Sequence, residues 1–338
     1  MNNTTEAFPE LEHCLHTAEN KFRTTRIVVY TTIALATYFG NALILISLRK
    51  FSELLKGTPY ILLRNLAVAD LLLAVGLTLK TIGHIFVSVE GNAYFCVVKT
   101  CILAVSLTAS GILLTFISLD RFCAIVFPMK HLVRSTKSRR RRIKLTIVWV
   151  LSFAVICIPI VIKFSLSQEN SACKSCDMIP RGISLAAAVF IPVQFIINIA
   201  LSLIVIWRLK TNAMSQHKYK NSMIKCGLLI RVYVVFAICW SPYVVTTLLM
   251  ETTNEKQKYM DVREYTIVPG LMNSAMNWII YGLSNKKLRD SFKNVLLCRN
   301  QRQFHISNYI QSKISDKMEY KTATSCEVKP CETCETSA

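Results

Sequence analysis

The residues able to do chemistry stand where their surroundings least favour them. Asp70 sits within Asn65-Leu66-Ala67-Val68-Ala69-Asp70-Leu71-Leu72-Leu73, and Asp120-Arg121 closes another apolar stretch as Ser118-Leu119-Asp120-Arg121-Phe122. Asn41, Asn273 and Asn277 add neutral amides inside similar runs, and Ser274 adds a hydroxyl. A carboxylate left charged in apolar surroundings costs several kcal/mol unless donors or a cation meet it. Ionisable groups inside membrane-spanning helices are therefore functional-site candidates. The plainer reading is interhelical hydrogen bonding that holds a bundle together, and Asn41 is read that way. Arg121, at the end of its run, is placed to snorkel toward water. No H-E-x-x-H, G-x-S-x-G or P-loop pattern is present, so the chain is read as not an enzyme.

The elements that hold these residues follow from composition. The chain has 338 residues, of which 52% are hydrophobic and 18% charged, with a mean hydropathy of +0.39. Soluble domains carry about 25% charged residues, so this chain has too little charge for a water-facing surface. Disorder, collagen and a disulfide-stapled miniprotein are excluded. Seven stretches are long enough to cross a hydrocarbon core as helix: Ile27–Leu48, Pro59–Leu79, Cys96–Val126, Ile143–Ile162, Ile183–Trp207, Met223–Met250 and Tyr265–Leu283. The last is the weakest, because it contains Asn273, Ser274 and Asn277. The short alternation of a membrane barrel is missing, which leaves helices. The first 25 residues lack an apolar h-region, so the first spanning helix is expected to direct insertion.

Charge sets the expected orientation. Segments 49–64, 121–144 and 208–225 hold 18 basic residues, with only Glu53 and Asp120 as acids in or beside them. Segments 1–26, 80–99, 163–181 and 251–264 hold 11 basic residues. The basic excess favours the first group as cytoplasmic, and residues 284–338 add 10 more basic residues to that side. An odd number of spans then puts the amino terminus outside. Asn2 and Asn3 each open an N-x-T glycosylation acceptor, which needs that side. The net charge of +20 thus reads as topology rather than nucleic-acid binding. The run Arg139-Arg140-Arg141-Arg142 abuts a spanning helix and can attract anionic membrane lipid.

The polar residues, taken in order, resemble the signatures of rhodopsin-like (class A) G-protein-coupled receptors over roughly residues 27–297. Gly40-Asn41 resembles the first-helix signature and Leu66-Ala67-Val68-Ala69-Asp70 the second. Cys96 stands 25 residues before Arg121, the usual place of a disulfide cysteine. Asp120-Arg121-Phe122 resembles the D/E-R-Y/F triplet, Trp149 the fourth-helix tryptophan and Pro192 the fifth-helix proline. Cys239-Trp240-Ser241-Pro242, with Phe236 one turn earlier, resembles C-W-x-P. Asn277-Trp278-Ile279-Ile280-Tyr281 resembles N-P-x-x-Y. Leu288, Phe292 and Leu296 recur as on an amphipathic eighth helix, and Cys298 at its end resembles a palmitoylation site. Three positions depart from the pattern: Trp278 replaces a proline, Ala200 stands where a tyrosine is frequent, and Ser222 stands where many members carry an acid.

The resemblance implies an all-α membrane protein, a seven-transmembrane helix bundle plus a short amphipathic eighth helix. Residues 1–26 would be an extracellular segment, 27–283 the bundle, 284–298 the amphipathic helix and 299–338 a cytoplasmic tail. It implies a multi-pass plasma-membrane receptor that binds an extracellular small molecule or peptide and activates a heterotrimeric G protein. Switching would involve Asp120, Arg121, Phe236, Trp240, Pro242, Asn277 and Tyr281, with Pro242 as bend point. Without an acid at Ser222, Arg121 has only neighbouring Asp120 to pair with.

The resemblance also assigns smaller sites. Asp70, Ser110, Asn273, Ser274 and Asn277 are hard oxygen donors that fit an allosteric sodium ion; no other cofactor is implied. Cys96 is expected to pair with Cys173 or Cys176. Thr322, Thr324, Ser325, Thr333, Thr336 and Ser337 among acids form a tail cluster suited to phosphorylation and arrestin recruitment. Ligand contacts are expected from Lys80, His84, Lys99, Leu103, Trp240, Tyr243, Thr247 and Leu271. Leu103 stands where amine receptors carry an aspartate, so no carboxylate waits for an ammonium group. Lys80, His84 and Lys99, with Lys163, would instead form a basic mouth for an anionic group, unless they pair with Glu90 and Glu264 or reach lipid.

Two other readings compete. A channel or transporter would use Asp70 and the amides as an ion path, but repeated halves and broken helices are not visible. A photoreceptor-like relative would need a retinal lysine where Leu271 stands.

Overall fold

In a computed structural model the chain is described at residues 9–55, 57–90, 92–135, 138–166, 181–211, 216–253 and 256–298. Among the described residues all regular structure is helical. The helices are α1 Pro9–Lys50, α2 Thr58–Ile85, α3 Val87–Glu90, α4 Ala93–Val126, α5 Pro128–Ser135, α6 Ser138–Leu166, α7 Arg181–Thr211, α8 Gln216–Thr252, α9 Lys256–Ser284 and α10 Lys286–Leu296.

Six of these helices, α1, α2, α4, α6, α7 and α8, contain segments long and apolar enough to cross a membrane. The seventh place is taken by α9, whose charged first turns and Asn273, Ser274 and Asn277 lower its hydropathy. Packing completes the bundle. α1 lies against α2 and α9, α2 against α4, α4 against α6 and α7, α7 against α8, and α8 against α9. The ring therefore closes through α9, which turns Asn273, Ser274 and Asn277 inward.

The outer faces are apolar. Ile147, Val150, Leu151 and Phe153 on α6, and Val189, Ile196 and Leu203 on α7, are all exposed. On a water-facing protein such continuous faces would be polar; against lipid they are the solvent-compatible choice. The interior is a long cluster that includes Ile44, Leu66, Leu113, Leu114, Phe236 and Tyr281.

The helices overrun the apolar stretches. α1 starts at Pro9, not near residue 27, and its 42 residues reach about 63 Å at 1.5 Å per residue. Apolar composition marks the depth of the membrane; backbone hydrogen bonding carries the helix past it. Two short helices, α3 and α5, occupy segments read as loops. α5 opens on Pro128, which suits a first helical position because its missing N–H has no partner there anyway. At the far end, the Asn285 side chain accepts from Leu288 N at 3.3 Å and caps α10. Leu288 and Phe292 are buried, whereas Leu296, the third member of the expected stripe, is exposed.

Candidate functional site

The end of the bundle carrying Ile85, Ala93 and Lys256 is termed here the outer end. It contains a cavity of about 200 Å³ between α2, α4, α6, α7, α8 and α9. Its wall is mostly apolar, with Leu107, Ile156, Ile160, Phe190 and Ile191 among the contributors. Successive turns of α8 supply Phe236, Trp240 and Tyr243. The Trp240 ring lies 6.0 Å from Phe236 and meets Tyr243 edge-on at 5.7 Å. A Cβ on Gly270 would come within 2.9 Å of the Trp240 indole, so α9 can approach Trp240 this closely only because that position is glycine.

Of the residues to which the resemblance assigns ligand contact, Lys80, Leu103, Trp240 and Tyr243 line this cavity, whereas His84, Lys99, Thr247 and Leu271 do not. His84 stacks parallel to Tyr30 of α1, centroids 5.8 Å apart. Lys99 is 1% exposed, and its Nζ meets Glu90 Oε1 at 2.5 Å. Thr247 is fully buried, and Leu271 packs with Tyr30, Ile33 and Leu77. The basic mouth is corrected accordingly. Of its four expected members only Lys80 reaches the cavity, and its ammonium also lies 4.6 Å from the Tyr30 ring.

The second cation of the cavity is Arg263, which sequence reasoning counted as a loop residue. It is 7% exposed and donates to Ser184 Oγ at 3.2 Å. The cavity's carboxylate, Glu264, is met by Arg26 at 3.3 Å. Gln194 was also missed. Its Nε2 donates to the Gly111 carbonyl, and to Thr115 Oγ1 at 3.0 Å, tying α7 to α4. A polar residue in an apolar run was the signal that singled out Asn41, and Gln194 carries the same signal.

Midway down, Asp70 is fully buried. Asn277 Nδ2 donates to its Oδ2 at 2.8 Å and Ser110 Oγ to its Oδ1 at 3.2 Å. Asn41 Nδ2 donates to the carbonyls of Thr37 at 3.0 Å and Ser274 at 3.3 Å, so it is an interhelical tie between α1 and α9. The side-chain oxygens of Asn273 and Asn277 are buried without a hydrogen-bond partner. Of the two, the Asn277 oxygen belongs to the amide that donates to Asp70, and an unmatched acceptor so close to a carboxylate suits a cation. No cluster of three or more His, Cys, Asp or Glu side chains occurs among the described residues, so a multi-carboxylate or thiolate metal site is not formed there.

At the inner end Asp120 pairs with His131 of α5, Oδ1 to Nε2 2.9 Å, and not with adjacent Arg121. The reading that Arg121 has Asp120 as its partner is corrected, because α5 folds a histidine onto the carboxylate. Tyr233 supplies a hydroxyl that the sequence reading overlooked. It donates to the Leu114 carbonyl at 2.6 Å and accepts from Ser118 Oγ at 2.8 Å. Tyr281 is buried at the same level.

Cys96 is disulfide-bonded, while Cys101, Cys123, Cys157, Cys239 and Cys298 are free. Cys173, Cys176, Asn2, Asn3 and the tail cluster lie outside the described residues, and so does the side chain of Ser222.

This arrangement is a ring of spanning helices with an outer cavity, a buried carboxylate below it and an arginine at the inner end. It matches a known family. Residues 40–281 match the family model of the 7 transmembrane receptor (rhodopsin family). The chain is similar to somatostatin receptor type 1 of Rattus norvegicus, 25% identical over 283 residues, covering 79% of this chain and 70% of that receptor. It is similar to the type-1 angiotensin II receptor B of Xenopus laevis, 24% identical over 292 residues, covering 80% and 78%. It is also similar to neuromedin-U receptor 2 of Mus musculus, 28% identical over 306 residues, covering 80% and 74%. The chain belongs to the rhodopsin family of seven-transmembrane receptors. It is a multi-pass membrane protein and a G-protein-coupled receptor, with a ligand and a G protein as partners. The family is one of receptors, not enzymes.

Proposed function

We propose that the chain is a plasma-membrane receptor, amino terminus outside, for an extracellular peptide with one end seated in the outer cavity. The observation that carries this reading is the cavity's charge pattern. Lys80 and Arg263 line it, while its carboxylate Glu264 is met by Arg26. An acidic side chain or terminal carboxylate is the complementary group, and the apolar wall takes an adjoining aliphatic or aromatic residue. A cavity of about 200 Å³ holds only part of a peptide, so the remainder would lie above it. Relatives named for somatostatin, angiotensin II and neuromedin U support a peptide. Leu103 in the lining argues against a monoamine, since no carboxylate is offered there.

Binding would act by population shift. A ligand that prefers one packing of Trp240 against Gly270 and Phe236 would bias the bend at Pro242 and expose the surface beside Arg121. G-protein binding there, involving Asp120, Arg121, Asn277 and Tyr281, is part of the same proposal. Asp70, with Ser110, Asn273, Ser274 and Asn277, would hold a sodium ion in the resting arrangement, where the ion supplies positive charge to the buried carboxylate. Cys96 paired with Cys173 or Cys176, glycans on Asn2 and Asn3, a palmitoyl group on exposed Cys298, lipid contact and arrestin recruitment by the tail complete the proposal.

A signalling screen of peptides with free and amidated carboxyl ends, run with monoamines in parallel, tests it. An active peptide should lose potency at least tenfold in Lys80→Ala or Arg263→Ala at matched surface expression. A monoamine agonist insensitive to both substitutions would overturn the reading.

A further inference from the structure

The outer cavity does not stop at Trp240. Its lining runs from Thr100 to Gly111 on α4 and from Ile183 to Gln194 on α7. Each run reaches about 16 Å at 1.5 Å per residue, so the cavity is a shaft. Phe236, one turn inward of Trp240, forms the floor with Gly111 and Gln194.

The floor is where an apolar wall gives way to a primary amide. Gln194 is 4% exposed, and its Nε2 is committed to the Gly111 carbonyl and to Thr115 Oγ1 at 3.0 Å. A carbonyl accepts only from the NH2 of an amide, so these bonds fix which way the group points. A Cβ on Gly111 would lie 3.1 Å from Gln194 Oε1, so glycine leaves the room that the amide occupies. No hydrogen bond among the described residues reaches Oε1, and the atom is not occluded. An accessible acceptor on a lining residue is offered to whatever fills the shaft.

The neighbouring polar groups ask for the same kind of occupant. Thr108 Oγ1 donates to the Ala104 carbonyl at 2.8 Å, which leaves it only acceptor capacity. The Trp240 indole N–H is occluded. The floor therefore accepts, and its occupant must donate. A charged donor does not suit it. The carboxylate of the cavity, Glu264, stands toward the outer end of α9, and an ammonium among neutral acceptors gives up hydration without a counter-charge. A neutral donor on a flat apolar body matches Leu107, Ile191 and Phe236. A phenol carries its O–H on the long axis of the ring, where it reaches the floor first; an indole carries its N–H on the ring edge.

We propose that the seated end of the peptide carries a tyrosine side chain whose hydroxyl donates to Gln194 Oε1 at the floor of the shaft. The inference rests on the outer cavity being the ligand site and names the residue that reads the deepest group. An occupant of the same shape without the proton would strip water from Oε1 and leave it unpaired, which weakens binding about 10–100-fold. Removing both polar partners is close to neutral.

The test titrates the purified full-length receptor with N-acetyltyrosine and N-acetyltyrosylglycine, each beside its phenylalanine and O-methyltyrosine counterparts, with the rise in melting temperature as the binding readout. The tyrosine forms should bind about 10–100-fold more tightly than either counterpart. The methyl ether keeps the oxygen and lacks the proton, so it isolates the donor. Gln194→Met removes the amide at similar length and should bring tyrosine and phenylalanine forms to parity. A merely structural role for Gln194 would weaken both alike and leave their ratio unchanged, which would overturn the assignment. Loss of the preference in Thr108→Val with its retention in Gln194→Met would overturn it as well. Equal binding of tyrosine and phenylalanine forms to wild type, or no melting shift with any probe, would refute the proposal without recourse to a variant. Lys80→Ala should weaken all the probes together and leave the ratio in place, so the charge reading and the floor reading fail separately.

Discussion

Gly40→Ala should destabilise this receptor, and the sign of the effect should reverse when Trp278 is removed. A Cβ built on Gly40 lies 1.8 Å from Trp278 Cδ1, 2.4 Å from Cγ and 2.5 Å from Nε1. Carbon atoms pack best at about 3.5–4.0 Å, so the indole must retreat by about 2 Å. Its retreat is hindered because Cγ lies at the base of the ring and Phe39 meets the indole edge-on at 5.5 Å. Overpacking of this kind costs about 1–3 kcal/mol, and a contact this close points to the upper end. Against that, alanine within a helix is better than glycine by about 1 kcal/mol. The net expectation is a loss of about 2 kcal/mol in the wild type. In a Trp278→Ala background the clash is gone and only the helix term remains, so Gly40→Ala should then stabilise by about 0.5–1 kcal/mol. Thermal unfolding of the four proteins in one detergent measures the cycle. If Gly40→Ala lowers the melting temperature equally with and without Trp278, the steric argument fails. The same result would show that the space left at Gly40 is not what admits a tryptophan where the family pattern has proline.

Glu90→Gln leaves the Lys99 ammonium buried without its carboxylate and should cost up to about 3 kcal/mol, less than a fully buried pair because Glu90 is 23% exposed. Adding Lys99→Met should restore much of the loss, and no recovery in the double variant would exclude the pair as the cause. Asp70→Asn should abolish any effect of sodium on agonist affinity; retention of a wild-type sodium response would place the ion elsewhere. Gly270→Ala brings a methyl within 2.9 Å of the Trp240 indole and should change basal signalling at matched expression, and an unaltered baseline would count against Trp240 packing as the switch. Truncation after Arg302 should slow agonist-driven internalisation while sparing G-protein coupling, so unchanged internalisation would move the arrestin contact to the loops.

The bundle was legible because membrane depth is written in composition. Runs of apolar residues located the six helices long and apolar enough to cross a membrane, and the one ambiguous run, Tyr265–Leu283, is the helix that turns Asn277 inward to Asp70. Short motifs carried the Asp70–Asn277 pairing, since each residue lies at a fixed place on its own helix. The ligand cavity was less legible because periodicity relates residues within a helix but does not give the rotation of one helix against the next. Lys80 and His84 share a face, yet one lines the cavity and the other stacks on Tyr30 a turn further out. Lys99 was misplaced because Glu90, on the short helix α3, folds back over it. The partner of Asp120 was misassigned for the same reason, since α5 brings His131 from a segment with no spanning signal.

Trp240 lines the cavity and presses on Gly270. Asn273 and Asn277 follow on the same helix, and Asn277 holds Asp70. One turn further on α9 lies Tyr281, in the cluster that also contains Phe236 and Tyr233. Any displacement of Trp240 that shifts α9 therefore loads the Asp70 hydrogen bonds before it reaches the inner core. Contiguity alone does not make a coupling pathway. What gives it force here is that both ends bear on a single helix lacking the family proline at Trp278. With the glycine gap at Gly40 filled by that indole, α9 is braced against α1 instead of being free to kink beside it. Motion of α9 is then expected as a shift of the helix against Trp240 and Asp70 together, rather than as a local bend at its inner end.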